Sequence, residues 1–158
     1  MNRALVALAL RGMARGEYER LAVATGRALA SRSAVREAVA ACERACLQGP
    51  TVVATASEAT LARAFLDGVG LHHVPLVASR LAFFPRGPRL AVHTVGEAKV
   101  TAVRARGFLL DDAVFYTDSA SDAPLARVAR RTVTVNAARS SVAKLTRVAG
   151  DISHERWH

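Results

Sequence analysis

The sequence predicts an α/β protein in which an open parallel sheet with covering helices follows an all-helical N-terminal segment. Two observations carry this. Up to Gly49-Pro50, apolar residues recur at helical spacing with no strand-like alternation; beyond it, short β-branched runs alternate with amphipathic stretches. Strand, helix, strand, helix in that order argues for a parallel sheet, because the crossovers must lie on its faces. A third observation, the length of 158 residues, allows one domain or a small core with an appendage, large enough to bury a real interior.

In the first segment, residues 3 to 47, the helical positions are Leu5, Leu8, Leu21, Ala24, Leu29, Val35, Val39 and Cys42, and two or three helices are expected. The strand expectations are Thr51 to Thr55, Val74 to Ala78, Ala113 to Thr117 and Thr132 to Val135. The helix expectations are Glu58 to Asp67, Gly96 to Arg106, Ala123 to Ala129 and Ser140 to Val148. Leu81 to His93 holds two prolines and Gly87 between apolar runs, which suits a small hairpin or irregular excursion and not a helix. The organisation expected is a helical segment over 1–48 and an α/β core over 49–158.

Composition narrows the class. Apolar residues make up 51% and charged residues 22%, ordinary globular usage. The formal charge of +9 favours an anionic partner. However, the basic residues are scattered and no aromatics interleave with them, so neither nucleic acid nor a membrane is expected as partner. Of the 22 Lys and Arg residues only Lys99 and Lys144 are lysines, so a retained Lys hints that an ammonium is needed. Cys42 and Cys46 share a helix face, a poor disulfide geometry, and read as buried thiols of a cytoplasmic chain. The start, Met1-Asn2-Arg3 and ALVALAL, is interrupted by Arg11 and Arg15 and is too short for a membrane helix.

In open parallel sheets ligands bind beyond the carboxyl ends of the strands, which directs attention to the residues there. After TVVAT, Thr55 and Ser57 precede a helix, and a hydroxyl beside free helical N–H groups can hold a phosphate oxygen; Ser57 serves equally well as an N-cap. In Gly96-Glu97-Ala98-Lys99 the ammonium stands in the first turn of a helix, against the dipole, where an anion would compensate it; a surface lysine is the alternative. In AVFYTDSASDAPL an apolar strand ends at Asp118, and Asp122 follows at a helix start. Carboxylates converging at a strand end suit magnesium, the alternative being two N-caps.

These three elements, in this order, resemble the haloacid dehalogenase (HAD) phosphatases, most closely the subgroup that includes phosphoserine phosphatase. The matches are Thr55 in VVATAS, Lys99 in GEAK and Asp118, Ser119 and Asp122 in DSASD, with TVTVN ending at Asn136 similar to the family's next strand. The resemblance is good over residues 50 to 145, and residues 1 to 47 look more loosely like the subgroup's helical cap. It implies a HAD-like (Rossmannoid) sheet and Mg2+-dependent hydrolysis of a small phosphorylated substrate through an aspartyl-phosphate. Thr55 and Ser57 would bind the phosphate, Lys99 would neutralise it, and Asp118 would ligate Mg2+ with Asp122 as ligand or anchor.

The family's first motif, Asp-x-Asp after the central strand, has no match. The aspartates are Asp67, Asp111, Asp112, Asp118, Asp122 and Asp151, and no two are so spaced. Glu17-Tyr18-Glu19 has the spacing but no preceding strand. The chain therefore reads as a phosphatase lacking its nucleophile and central first strand, shortened within the cap and inactive alone. The alternative is a degenerate module that binds phosphate or a partner without catalysis. The strands ending at Thr55 and Asp118 would then pair with each other, accept a strand from another chain or leave open edges, with homo-oligomers as one outcome. The five histidines show no metal spacing, His72 and His73 being expected to diverge on a strand, and Trp157 is expected to pack on the sheet edge.

Overall fold

A computed structural model of the chain describes residue 6 and residues 8 to 158. The expectations at Leu5 and at the Met1-Asn2-Arg3 start lie outside the described residues. The chain forms two compact units, Met1–Thr94 and Val95–His158.

In the first unit, α1 (Arg15–Ser33) and α2 (Arg36–Gln48) precede β1 (Val53–Glu58), α3 (Ala59–Gly68) and a hairpin of β2 (Leu76–Phe84) and β3 (Gly87–Val92). β1 pairs with β2 in parallel, Val53 opposite Leu76, and β2 pairs with β3 antiparallel, Phe84 opposite Gly87. The hairpin expected over Leu81 to His93 is thus present. The first strand runs on to Glu58 instead of stopping at Thr55. The reason is local: Ser79 Oγ donates to the Ala56 carbonyl at 2.8 Å and prolongs the attachment to β2 past the irregular register between Ala54 and Glu58.

The helices expected to form a separate segment pack inside this unit. α1 buries a four-residue-spaced stripe of Tyr18, Ala22, Gly26 and Ala30, and α3 buries Ala62, Ala64 and Leu66. Small side chains let the two backbones approach closely: a Cβ on Gly26 would lie 2.5 Å from the Leu61 carbonyl oxygen and 2.9 Å from Phe65 N. On the other side of α3, Leu66, Leu71 and Val74 form a cluster onto which α2 packs Val39, Cys42 and Cys46. Both cysteines are free thiols. His72 and His73 sit in the turn before β2, not on a strand, with their rings edge-on at 5.5 Å. The turn is held by Arg63, whose guanidinium donates to the carbonyls of Leu71, His72 and Val74.

The second unit is a three-stranded parallel sheet, β4 (Val114–Thr117), β5 (Arg131–Val135) and β6 (Ile152–Glu155), in that order, with α4 (Glu97–Arg104), α5 (Ala123–Val128) and α6 (Arg139–Thr146). Its core is Val100, Val103, Leu110, Leu125, Ala126, Val133 and Leu145. β6, with sequence ISHE, was not expected, since three of its four residues are polar. Beyond β5, Asn136 adopts φ +51°, a conformation Asn tolerates better than most side chains. Its amide clasps the backbone of Trp157, accepting from N and donating to O at 2.9 Å each. Trp157 thereby sits 5.8 Å, ring to ring, from Tyr116 of the edge strand β4.

Mixed α/β architecture with parallel pairing is as the sequence implied. β1 and β4 do not pair with each other; each is an outer strand of its own sheet among the described residues.

Two measurements test this packing. Gly26→Ala forces a methyl against backbone atoms and should lower stability by about 1–3 kcal/mol in urea unfolding. Gly16→Ala, whose Cβ would meet only the flexible Arg20 side chain at 3.9 Å, should not. Burial, with the neighbouring Cys46 adding to it, pushes the Cys42 thiol up to about 11. Its thiolate fraction at pH 8 should then fall on the order of a hundredfold below that of a free thiol, and alkylation of Cys42 should accelerate sharply on unfolding.

Candidate active site

The turn that opens α4 is set by Gly96, whose φ of +59° and ψ of −131° are readily open only to glycine. Lys99 N donates to the Gly96 carbonyl at 3.0 Å, which places the lysine one turn into the helix, only 5% exposed. This is not a surface lysine. Its Nζ lies 2.5 Å from Asp122 Oδ1, and the other carboxylate oxygen accepts from Thr117 Oγ1 at 2.9 Å. The two side chains are 6% and 12% exposed, so the ion pair is shielded from water. The end of β4, the start of α5 and the first turn of α4 are thereby joined through one carboxylate.

Asp122 stands at the N-cap position of α5 but makes no capping bond, and the cap of the preceding 3-10 turn is Ser119, which accepts from Ser121 N at 3.3 Å. The reading of the two aspartates as helix caps therefore fails. Asp118, directly after β4, is exposed and makes no hydrogen bond or ion pair among the described residues. On the outer side, Glu97 and Arg127 form an exposed ion pair that also links α4 to α5.

Among the described residues no group of three or more His, Cys, Asp or Glu side chains converges as a metal site. The donors fit a magnesium ion only in part. Asp118 offers a free carboxylate, and magnesium commonly takes one or two carboxylates together with water and phosphate. Asp122 has a lysine ammonium on one oxygen and a hydroxyl donor on the other, so a cation beside it would meet like charge.

In the first unit, Thr55 Oγ1 accepts from Ser57 N at 3.1 Å. The N–H groups expected to be free at the start of α3 are taken: Glu58 caps that helix, its Oε2 accepting from Thr60 N at 2.9 Å and Leu61 N at 3.4 Å. The cap is therefore Glu58 and not Ser57. Tyr18 of α1 donates to the same oxygen at 2.9 Å, and burial, followed by the Glu58 carboxylate, raises the Tyr18 pKa. The structure thus brings Lys99, Asp122 and Asp118 to one strand end and adds Thr117, which sequence reasoning missed. A signal was present: Thr117 and Ser119 repeat the spacing of Thr55 and Ser57, and Ser119 N donates to Thr117 Oγ1 at 3.1 Å just as in the first turn.

Removing one partner of a buried ion pair strands the other charge. Asp122→Ala should therefore cost about 3–5 kcal/mol, and Lys99→Met combined with Asp122→Leu should recover most of that loss. Urea unfolding of the single and double variants measures both.

The family model of haloacid dehalogenase-like hydrolases matches residues 2–127, a stretch that includes Thr55, Ser57, Lys99, Asp118 and Asp122. Among solved structures, a protein of unknown function from Bordetella pertussis Tohama I is similar in fold, with a TM-score of 0.59 and 21% identity. That similarity covers 76% of this chain and 58% of the other, so the chain spans little more than half that protein's length. No curated protein matches the chain. With the strand-end lysine and aspartates in place and most of its length matched, the chain belongs to the haloacid dehalogenase-like hydrolase family.

Proposed function

We propose that these residues form the phosphate- and magnesium-facing part of a phosphomonoester hydrolase, and that the chain does not turn over substrate by itself. The observation that carries the reading is the buried Lys99–Asp122–Thr117 network with Asp118 left exposed beside it. Phosphoryl transfer depends on positioning and charge stabilisation, and both are supported by this arrangement. Asp122 and Thr117 hold the ammonium of Lys99 in one place; Lys99 offsets negative charge on the phosphoryl oxygens. By the family resemblance, Thr55 and Ser57 of the first unit are assigned to phosphate binding through their hydroxyl groups. Asp118 would hold Mg2+, which when bound supplies Lewis-acid stabilisation of the developing charge; Asp122 serves as the anchor behind it.

The reaction class implied by the family is attack by an aspartate carboxylate on phosphorus, which breaks the P–O ester bond and releases the alcohol; water then hydrolyses the aspartyl-phosphate to free carboxylate and phosphate. No residue among these 158 is spaced to be that nucleophile and its acid/base partner. We therefore assign the nucleophile to a strand that these residues do not include, paired at the open edge of β1 or β4, or to a second chain in an oligomer. The absent Asp-x-Asp also favours a second reading, a module that binds phosphate without catalysis. The free thiols Cys42 and Cys46 suit a reducing cytoplasm. Among the described residues no helix is long and apolar enough to cross a membrane.

Release of phosphate from para-nitrophenyl phosphate with magnesium tests the proposal, using this chain, an Asp118→Asn variant and a form extended by a strand carrying Asp-x-Asp. Activity confined to the extended form, and lost from it with Asp118→Asn, is the expected result. Turnover by the unextended chain would show that one of its own 158 residues is the nucleophile. Phosphate binding with no turnover in any form would select the binding module.

A further inference from the structure

The hairpin tip of the first unit and the segment leading into α1 are far apart in sequence and meet in space. Gly12 N donates to the Arg86 carbonyl at 3.3 Å. Gly87, at φ +108°, lies so close to this segment that a Cβ there would stand 2.7 Å from the Leu10 carbonyl oxygen. The two segments that meet carry four exposed arginines, Arg11, Arg15, Arg86 and Arg89, and two exposed apolar side chains, Leu8 at 68% and Phe84 at 54%.

No carboxylate occurs in residues 8 to 16 or 80 to 93. The next acids along the chain are Glu17 and Glu19 after the first stretch and Glu97, paired with Arg127, after the second, and Glu58 is turned to Tyr18 and the start of α3. None of the four arginines forms an ion pair among the described residues. Two of them lie over aromatic rings instead, on opposite faces of the hairpin because successive strand residues alternate: Arg15 at 5.0 Å from the centroid of Phe83 and Arg89 at 5.9 Å from that of Phe84.

We propose that this tip is a docking surface for an anionic lipid bilayer, with the arginines at the headgroups and Phe84 and Leu8 entering the interface. Guanidinium groups on both faces of the tip complement negative headgroups as it enters the interface, and the exposed apolar side chains of the same two segments gain by leaving water. A nucleic acid fits less well. Leu8 offers no ring for a base to stack on, and one face of Phe84 is approached by Arg89, whereas single-strand binders present a row of open aromatic faces. The sequence alone pointed away from a membrane because the four charges fall in two separate stretches that only the fold unites.

The test is co-sedimentation of the full chain with vesicles of equal parts phosphatidylglycerol and phosphatidylcholine, against vesicles of phosphatidylcholine alone. Binding to the anionic vesicles only, weakened by salt, is expected. Each arginine replaced should weaken partitioning by about fivefold, so Arg86→Gln with Arg89→Gln should weaken it roughly twenty-five-fold. Phe84→Ser should weaken it several-fold with the salt dependence kept. Arg11→Gln, off the hairpin, tests the same surface should the hairpin variants not fold, and Arg106→Gln in the second unit should change nothing. The proposal is overturned by absence of binding to anionic vesicles, by equal binding to neutral ones, or by an equal loss with Arg106→Gln. It is also overturned if a single-stranded oligonucleotide binds more tightly than the vesicles and with the same dependence on Arg86 and Arg89.

Discussion

A charged lysine that is almost entirely removed from water must have a partner, and at Lys99 the partner is Asp122. Much of the second unit follows from that requirement. The 3-10 turn after β4 carries Asp122 to the ammonium, and Thr117 holds its second oxygen. Three elements distant in sequence are thereby fixed by one acid. A buried pair of this kind is weak as a source of net stability, since desolvation offsets most of the attraction. What the pair does is orient: it gives the ammonium one direction and sets the exposed carboxylate of Asp118 beside a paired one.

The same constraint explains what the sequence disclosed. Gly96 and Lys99, and Asp118 and Asp122, were readable because a lysine in the first turn of a helix and two carboxylates just behind a strand stand out as residue types at those positions. Thr117 was not singled out, since a threonine closing a strand is ordinary until its hydroxyl is seen to reach five residues ahead. Glu58 was hidden for a related reason. A hydroxyl residue, Ser57, stood at the expected cap position, and only the extra pairing of β1 with Ser79 moved the helix start past it. The four-residue stripe from Tyr18 to Ala30 was visible as helix. That it would press on α3 was not, because a glycine in a helix says that something comes close without saying what. β6 escaped because four residues with one aliphatic side chain carry no periodicity to find.

Both sheets share one topological trait. Parallel strands are usually flanked on both sides, and here β1 and β4 each have a partner on one side among the described residues. On β4 the exposed side chains, Val114 and Tyr116, are the kind usually found inside sheets, and Trp157 from the far edge reaches back to cover one of them. Asn136 accepts a left-handed backbone to hold that tryptophan, so the strand next to Asp118 is secured from the C-terminal tail as well as from α4.

The two Thr-x-Ser turns differ in a way that concerns protons. In each, the threonine oxygen accepts from the backbone two residues on, so its own hydrogen is directed elsewhere. Thr117 gives that hydrogen to Asp122. Thr55 has no such internal acceptor among the described residues, and its hydroxyl is left as a donor without a recipient. A group so prepared rewards an electron-rich oxygen arriving beside Thr55, because the hydrogen bond it can donate is still unmade. One hydroxyl has become a fastener and the other keeps a hydrogen to give, though the bonds they accept from the backbone are the same.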